Sequence, residues 1–481
     1  MPRTRLRLLT AALVALAAIP ASAALPALPA LPAPRALPAP PPGEISDNVT
    51  FLANVPEMKT AIAVNFIGDT MFVSSTTGIY AYSIKDPTKP SLFGALPMYI
   101  WENEDVDVDT KRGLLFVSRD PRGFTTPATP GSTFPFGMIQ VIDVSLPHAM
   151  RQISQIVIKA GHTTTCVNGC KWLWAGGPYA NKALNPADWV GRPIIGVDLR
   201  DPMKPVECAT PIDLGRNDGV TDYAHDVQVD ARGIAWVSGA GGVRGYWTEG
   251  KHRNPVTGRV ETADGCKPIP YAGGGTPEEA TPSRFMHNSW RNLTASVDGR
   301  KGDVLYATEE ALKSSCESSG RFATYDLKGT YNGEGFKNTA RTKQRMRFLD
   351  TWTPEEQEGA SGCESAHYFT DRGDSILASA FYGQGTRFLD VRNPRDIRQV
   401  GYFRPDDATT WAAYWHKDYV VIADNSRGID FVRFTGKTAK RGKSSLAELP
   451  TVVAPPRRMP APIRFEPSRQ WGYLCPTPVS A

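Results

Sequence analysis

The stretch from residue 364 to 403 alternates short apolar runs with polar turns. Its four apolar runs, HYFT, SILASAF, TRFLDV and RQVGYF, are rich in β-branched and aromatic residues. The separators, DRGD, YGQG and RNPRD, supply the Gly, Asp, Asn and Pro residues that tight turns favour. The pattern predicts a meander of four antiparallel strands, which could not bury its own faces as a single sheet.

Similar units recur along the chain, and with the first they make seven. The others span residues 70–96, 114–158, 172–212, 234–247, 304–327 and 419–434. Irregular self-similarity at intervals of roughly 40–50 residues is typical of a β-propeller, with insertions in the loops. The sequence therefore predicts an all-β fold, a seven-bladed β-propeller of four-stranded antiparallel blades.

Several units end on a shared phrase of apolar residues followed by Asp and another apolar residue. It occurs at residues 141–144, 195–199 and 388–391. The phrase resembles that of the LVIVD-repeat family of secreted, mostly bacterial propellers, and the resemblance covers about residues 48–434. It implies the propeller architecture and no particular reaction.

The chain begins with features of a secretory signal peptide. Arg3, Arg5 and Arg7 precede a short apolar stretch, and Ala21-Ser22-Ala23 provides a cleavage site. We therefore expect residues 1–23 to be removed and the mature protein to be secreted to the extracellular space. No other stretch is long and apolar enough to form a transmembrane anchor.

The rest of the chain divides into a spacer, the propeller and a C-terminal tail. Residues 24–46 are dominated by Ala, Leu and Pro and predict a disordered spacer. Residues 47–434 hold the propeller, in which 48–55 should supply the missing outer strand of the last blade and close the ring. Residues 435–481 form a basic, Pro-rich and mostly disordered tail with eight Lys or Arg against two Glu. The tail is either simply solvated or binds anionic wall polymers.

Seven cysteines in an exported chain predict disulfides with one thiol left over. Cys166 and Cys170 flank a three-residue hairpin loop that would place them opposite each other. Cys316 and Cys363 should lie on loops of one propeller face and form a second candidate pair. The sequence gives no connectivity for Cys208, Cys266 and Cys475.

Four of the seven histidines fall near the start of the innermost strand in consecutive blades. The four are His162, His225, His287 and His367. The equivalent places in the other blades hold Ala61, Glu104 or Asp105, and Trp411. Because innermost strands line the central channel, these imidazoles should converge on the propeller axis.

Converging imidazoles predict a site for one transition metal ion, Cu, Fe or Zn. The neighbouring carboxylates Asp105, Asp226 and Glu364 could complete the ligand set or orient the rings. Two alternatives remain open at this stage. The histidines could form a structural ring that locks adjacent blades, or they could line a polar pocket for a small molecule without metal.

Two functions follow from these patterns. The first is an extracellular binding module, expected to be a monomer, whose partner is a protein, polymer or small molecule and is not a nucleic acid. The second is a secreted metal-dependent enzyme, an oxidoreductase or hydrolase, that uses the histidine ring. The sequence names neither a substrate nor catalytic residues.

Overall fold

The fold is all-β, with seven antiparallel sheets arranged as the blades of a propeller. The computed structural model describes residues 37–59, 61–98, 103–120, 137–177, 193–212, 223–240, 242–255, 257–272, 285–310, 320–327, 346–354 and 364–436. The predicted signal peptide, most of the spacer and nearly all of the basic tail lie outside these ranges. Within them, no helix is long and apolar enough to cross a membrane.

The blades follow one another along the chain, each numbered from its innermost strand outward. In blade one the strands are Ala61–Ile67, Thr70–Ser75, Gly78–Ser83 and Ser91–Pro97. Those of blade two are Val106–Asp109, Leu114–Arg119, Gly137–Asp143 and Arg151–Ile158. Blade three contains Thr163–Val167, Trp172–Gly176, Ile195–Asp198 and Val206–Glu207. Blade four contains Tyr223–Val229, Ile234–Ala240, Gly242–Trp247 and Ile269–Ala272.

The second half of the ring repeats this order. The strands of blade five are Phe285–Asn292, Val304–Glu310, Phe322–Asp326 and Arg347–Trp352. Blade six is formed by Phe369–Asp371, Ile376–Ala380, Thr386–Asp390 and Arg398–Pro405. In blade seven the chain contributes Thr410–His416, Tyr419–Asp424 and Gly428–Phe434. The small elements are two hairpins, Gly250–Arg253 with Val260–Ala263 and Ser296–Val297 with Arg300–Lys301, and the 3-10 turns Pro56–Met58 and Pro147–Ala149.

The N-terminal strand Val49–Val55 closes the ring, as the sequence predicts. It pairs antiparallel with Gly428–Phe434 and becomes the fourth strand of blade seven. Within it Leu52 is wholly buried, whereas the neighbouring Thr50 is exposed. The first and last parts of the propeller are therefore held together by one shared sheet, and neither leaves an open edge there.

A short strand departs from the predicted organisation. Gly43–Ile45 lies inside the segment expected to be a disordered spacer, yet it adds a fifth strand to blade six by pairing with Phe403 to Pro405. Pairing of this kind relies mainly on backbone hydrogen bonds, here joined by an ion pair between Glu44 and Arg404, so it needs no alternation of apolar side chains.

Apolar side chains pack between neighbouring blades rather than around a single centre. Leu114 and Ile139 of blade two, for example, contact a cluster that includes Leu173 and Ile195 of blade three. Most of each inner strand is consequently covered, and every residue of Thr410–His416 is buried. In blade six, Thr370 and Asp371 of the inner strand are half-buried.

The described residues contain two disulfides. Cys166 and Cys170 are joined across the turn that connects the first two strands of blade three, the pair that hairpin geometry predicts. Cys208 and Cys266 are joined over 58 residues and link blade three to the segment before the outer strand of blade four. Cys316, Cys363 and Cys475 lie outside the described residues, so the pairing of Cys316 with Cys363 stays a prediction.

Candidate metal centre on the propeller axis

The four repeated histidines meet at the start of the innermost strands of blades three to six. His162 directly precedes its strand, His225 and His287 lie within theirs, and His367 lies two residues before Phe369–Asp371. All four are buried, with exposed fractions of at most 2%. Each blade contributes one ring from the equivalent position of its inner strand. The centroids of rings from consecutive blades therefore lie only 3.7 to 4.9 Å apart.

β-Bulges aim two of these rings toward the axis. The pairing register shifts between Ala224 and Asp226, which leaves His225 as the extra residue of its strand. The same shift between Met286 and Asn288 leaves out His287. A bulged residue is released from the hydrogen-bond ladder, and its side chain can be redirected without moving the rest of the strand. The fold thus presents an imidazole to the axis while the strand keeps its ordinary packing.

A fifth residue, Glu104, lies among the four rings. Its Oε2 atom is 3.2 Å from Nε2 of His162, 3.1 Å from Nε2 of His225 and 3.2 Å from Nε2 of His287. Its Oε1 atom is 3.9 Å from Nε2 of His367. The backbone amide of Glu104 donates to the carbonyl of His162, at 2.7 Å, which fixes the approach of blade two to blade three. One wholly buried carboxylate therefore faces all four imidazoles.

The Nδ1 atoms of three of the rings have hydrogen-bond partners, and these partners set the orientation of each ring. Nδ1 of His225 donates to the carbonyl of His287 at 3.1 Å, and Nδ1 of His367 donates to the carbonyl of Trp411 at 2.9 Å. Nδ1 of His162 lies 2.8 Å from the carboxylate of Asp120. A neutral imidazole carries one hydrogen, so a ring that donates from Nδ1 presents a lone pair at Nε2. These contacts are typical of the groups that orient metal-binding histidines.

Burial keeps these imidazoles neutral. It lowers the pKa of His225, lowers that of His287 well below its usual value, and lowers that of His367 to about 3. For Glu104 burial acts against ionisation, but the electrostatic interaction and the hydrogen bond with His162 hold its pKa well below the usual range. An ionised carboxylate among imidazole nitrogens is an electron-rich site that favours a cation.

The spacing of these atoms suits a metal ion. Ligands held 2.0–2.1 Å from a tetrahedral ion lie about 3.3 Å from one another. The ligand atoms of Glu104, His162 and His225 all lie within 4.8 Å of one another, and so do those of Glu104, His287 and His367. The buried cluster could therefore hold a metal ion.

The three acidic residues singled out from the sequence make hydrogen bonds within the fold. The backbone carbonyl of Asp105 accepts from Thr164, at 3.0 Å, and Asp226 accepts from Asn288, at 2.9 Å. Glu364 accepts from the backbone amide of Gly383, at 2.6 Å. None of the three belongs to either group of potential ligands found in the described part of the chain. The axial carboxylate is instead Glu104, the neighbour of Asp105 and the other residue at the equivalent place of blade two.

Sequence reasoning missed two further acidic residues next to the rings. Asp120 follows the second strand of blade two, and Glu310 ends the second strand of blade five. Glu310 places its Oε2 atom 4.0 Å from Nε2 of His287, and its Oε1 atom accepts from the hydroxyl of Tyr382 at 2.6 Å. Because second strands run antiparallel to first strands, their ends return to the face where the histidines lie. That relation is the signal that could have identified both residues.

We expect the metal-free protein to lose stability as the pH falls from 6.5 to 5. His225, His287 and His367 stay neutral in the fold, whereas the unfolded chain takes up protons near pH 6.5. The unfolded state then binds more protons, so the free energy of unfolding should fall by about 3–5 kcal/mol over this window. Urea unfolding in the presence of a chelator, at pH 7.5, 6 and 5, measures this free energy. A variant with all three residues changed to Gln should show a flatter profile, and equal profiles would contradict the prediction.

Comparisons with known proteins bear on the fold. No family model matches this chain, and no curated protein matches it. Among solved structures, a periplasmic gluconolactonase from Pseudomonas aeruginosa aligns with 84% of this chain and 99% of its own, at 15% identity and a TM-score of 0.51. The WD40 β-propeller domain of Doa1 aligns with 80% of this chain and 97% of its own, at 9% identity and a TM-score of 0.47. At such identities the likeness to the gluconolactonase shows a shared propeller fold and nothing of the chemistry.

Proposed function

We propose that this protein is an exported metalloenzyme whose transition metal is held by four histidines and one glutamate on the propeller axis. The observation that carries the proposal is the convergence of the Nε2 atoms of His162, His225 and His287 on one oxygen of Glu104, at 3.1–3.2 Å. A purely structural ring would need each imidazole to bond its neighbouring strand. It would not need a buried carboxylate in the middle.

The identity of the ion determines the reaction class. Nitrogen-rich sites of this kind suit Zn, Cu and Fe. With zinc the centre would act as a Lewis acid in hydrolysis, and with copper or iron it would support electron transfer in an oxidoreductase. In either case the role of the protein's own residues is to hold the ion, keep the rings in one tautomer and exclude bulk water.

Export is part of the proposal and has independent support. Two disulfides lie within the part of the chain that the structure describes, and such bonds persist in oxidising compartments and are rare in the cytosol. The positive and apolar N-terminal segment is typical of a signal peptide. The substrate is accordingly an extracellular protein, polymer or small molecule, and the LVIVD resemblance remains a hypothesis about family.

Elemental analysis of the protein, purified without chelator or affinity tag, tests the proposal. We expect at least one equivalent of Cu, Fe or Zn in the natural protein and none in a His225→Ala/His367→Ala variant that still folds. His252→Ala is the matched control, because His252 lies on a small hairpin and stacks on Trp247. Absence of metal from the natural protein would overturn the proposal and leave an extracellular binding module.

A further inference from the structure

We infer that the axial cluster binds two metal ions, bridged by the carboxylate of Glu104. One ion would be held by His162 and His225, and the other by His287 and His367. The inference rests on the proposed metal-binding function and adds to it the number of ions and their arrangement.

In the first half-site, three potential ligand atoms are spaced like three ligands of one tetrahedral metal ion. Nε2 of His162 lies 3.1 Å from Nε2 of His225, and the two nitrogens lie 3.2 and 3.1 Å from Oε2 of Glu104. The three atoms form a nearly equilateral triangle whose sides are close to the ligand spacing around zinc, about 3.3 Å. An ion can contact all three atoms without any movement of the backbone.

The second half-site shares the carboxylate of Glu104 with the first. Nε2 of His287 lies 3.2 Å from Oε2 of Glu104, and Nε2 of His367 lies 3.9 Å from Oε1. Glu310 adds an oxygen 4.0 Å from Nε2 of His287. This group offers two imidazoles, the shared carboxylate and a second carboxylate, a ligand set that suits Zn, Fe or Cu.

The position of Glu104 favours two ions over one. A single ion bound by all four rings would lie near the point equidistant from their Nε2 atoms. Oε2 of Glu104 already lies within 3.2 Å of three of these nitrogens. The potential ligand atoms instead fall into two groups of three, and Glu104 belongs to both groups. A residue shared by two such groups is placed to bridge two ions.

Each half-site also has a buried carboxylate of its own. Asp120 contacts Nδ1 of His162, at 2.8 Å, and Glu310 lies beside His287. Asp120 and Glu310 are 0% and 1% exposed. The negative charge of these carboxylates favours cations in both half-sites.

Titration of the metal-free protein with Zn²⁺ alone, followed by calorimetry and elemental analysis, tests the inference. We expect two equivalents in the natural protein. A His162→Gln/His225→Gln variant and a His287→Gln/His367→Gln variant should each retain one, and His252→Gln should retain two. Loading with Cu²⁺ adds a second measurement, because two bridged copper ions couple magnetically. The electron paramagnetic resonance signal per copper should therefore be smaller in the natural protein than in either pair variant.

The outcomes separate this inference from the proposed function. One equivalent in the natural protein, lost in both pair variants, would overturn the two-ion arrangement and keep the metalloenzyme. No bound metal would overturn both. The titration of the natural protein decides between these outcomes even if a variant fails to fold.

Discussion

Replacing Glu104 with glutamine is expected to weaken metal binding by about 10²–10⁴-fold, because removing one partner from a buried charge pair costs about 3–5 kcal/mol. The amide has nearly the volume of the carboxylate, so packing should persist. It lacks the negative charge that offsets the cation at a site with no exposed surface. The four imidazoles would remain as ligands, so binding should be weakened and not abolished.

Competition with a chelator of known affinity measures the effect of Glu104→Gln. Glu249→Gln is the matched control, because it makes the same chemical change at an exposed position outside the metal-binding cluster. We expect the control to bind metal as tightly as the natural protein. Unchanged affinity in Glu104→Gln would show that the carboxylate is not a ligand and would remove the basis for a bridge.

Replacing Leu52 with aspartate is expected to lower the free energy of unfolding by more than about 4 kcal/mol. Leu52 is wholly buried within the strand that closes the ring. Aspartate there would bury a charge that has no partner of opposite charge. The cost of removing this charge from water should detach the strand. The outer edge of Gly428–Phe434 would then be open to pairing with other molecules.

Thr50→Asp is the control for this experiment, since Thr50 lies on the same strand with its side chain exposed. Exposed substitutions usually change stability by no more than about 0.5 kcal/mol. Urea unfolding compares the two variants, and size-exclusion chromatography detects association through the open edge. Equal stability of Leu52→Asp and Thr50→Asp would contradict the role of the strand in closing the ring.

The sequence predicted the architecture well because the propeller is a repeat. Each blade must bury both faces against its neighbours, so strands and turns recur in a readable order. The closing strand was predictable for a related reason, since the last unit stops at residue 434 without the pattern of a fourth strand and residues 48–55 supply one. Gly43–Ile45 was not predictable, because it joins blade six through its backbone and carries no apolar alternation of its own.

The site was predictable only in part. The four histidines could be found by aligning repeats, but the choice between Glu104 and Asp105 could not. Successive side chains of a strand point to opposite faces, so an uncertainty of one residue reverses the prediction. Bulges such as the one at His225 add a residue to the strand and shift this alternation, so the face of a side chain cannot be found by counting residues alone. Asp120 and Glu310 come from second strands, whose ends can be placed only when the hairpins are known.

At each bulge, the side chain presented to the axis can be replaced without changing the strand pairing around it. Blade seven has the same register shift between Thr410 and Ala412, and there the extra residue is Trp411. Its carbonyl, not its side chain, accepts the hydrogen bond from His367. The indole could therefore be exchanged for another group while the blade ladder and this hydrogen bond are kept. A family of such propellers could alter the chemistry of the axis one blade at a time, by point substitutions that leave the scaffold's pairing unchanged.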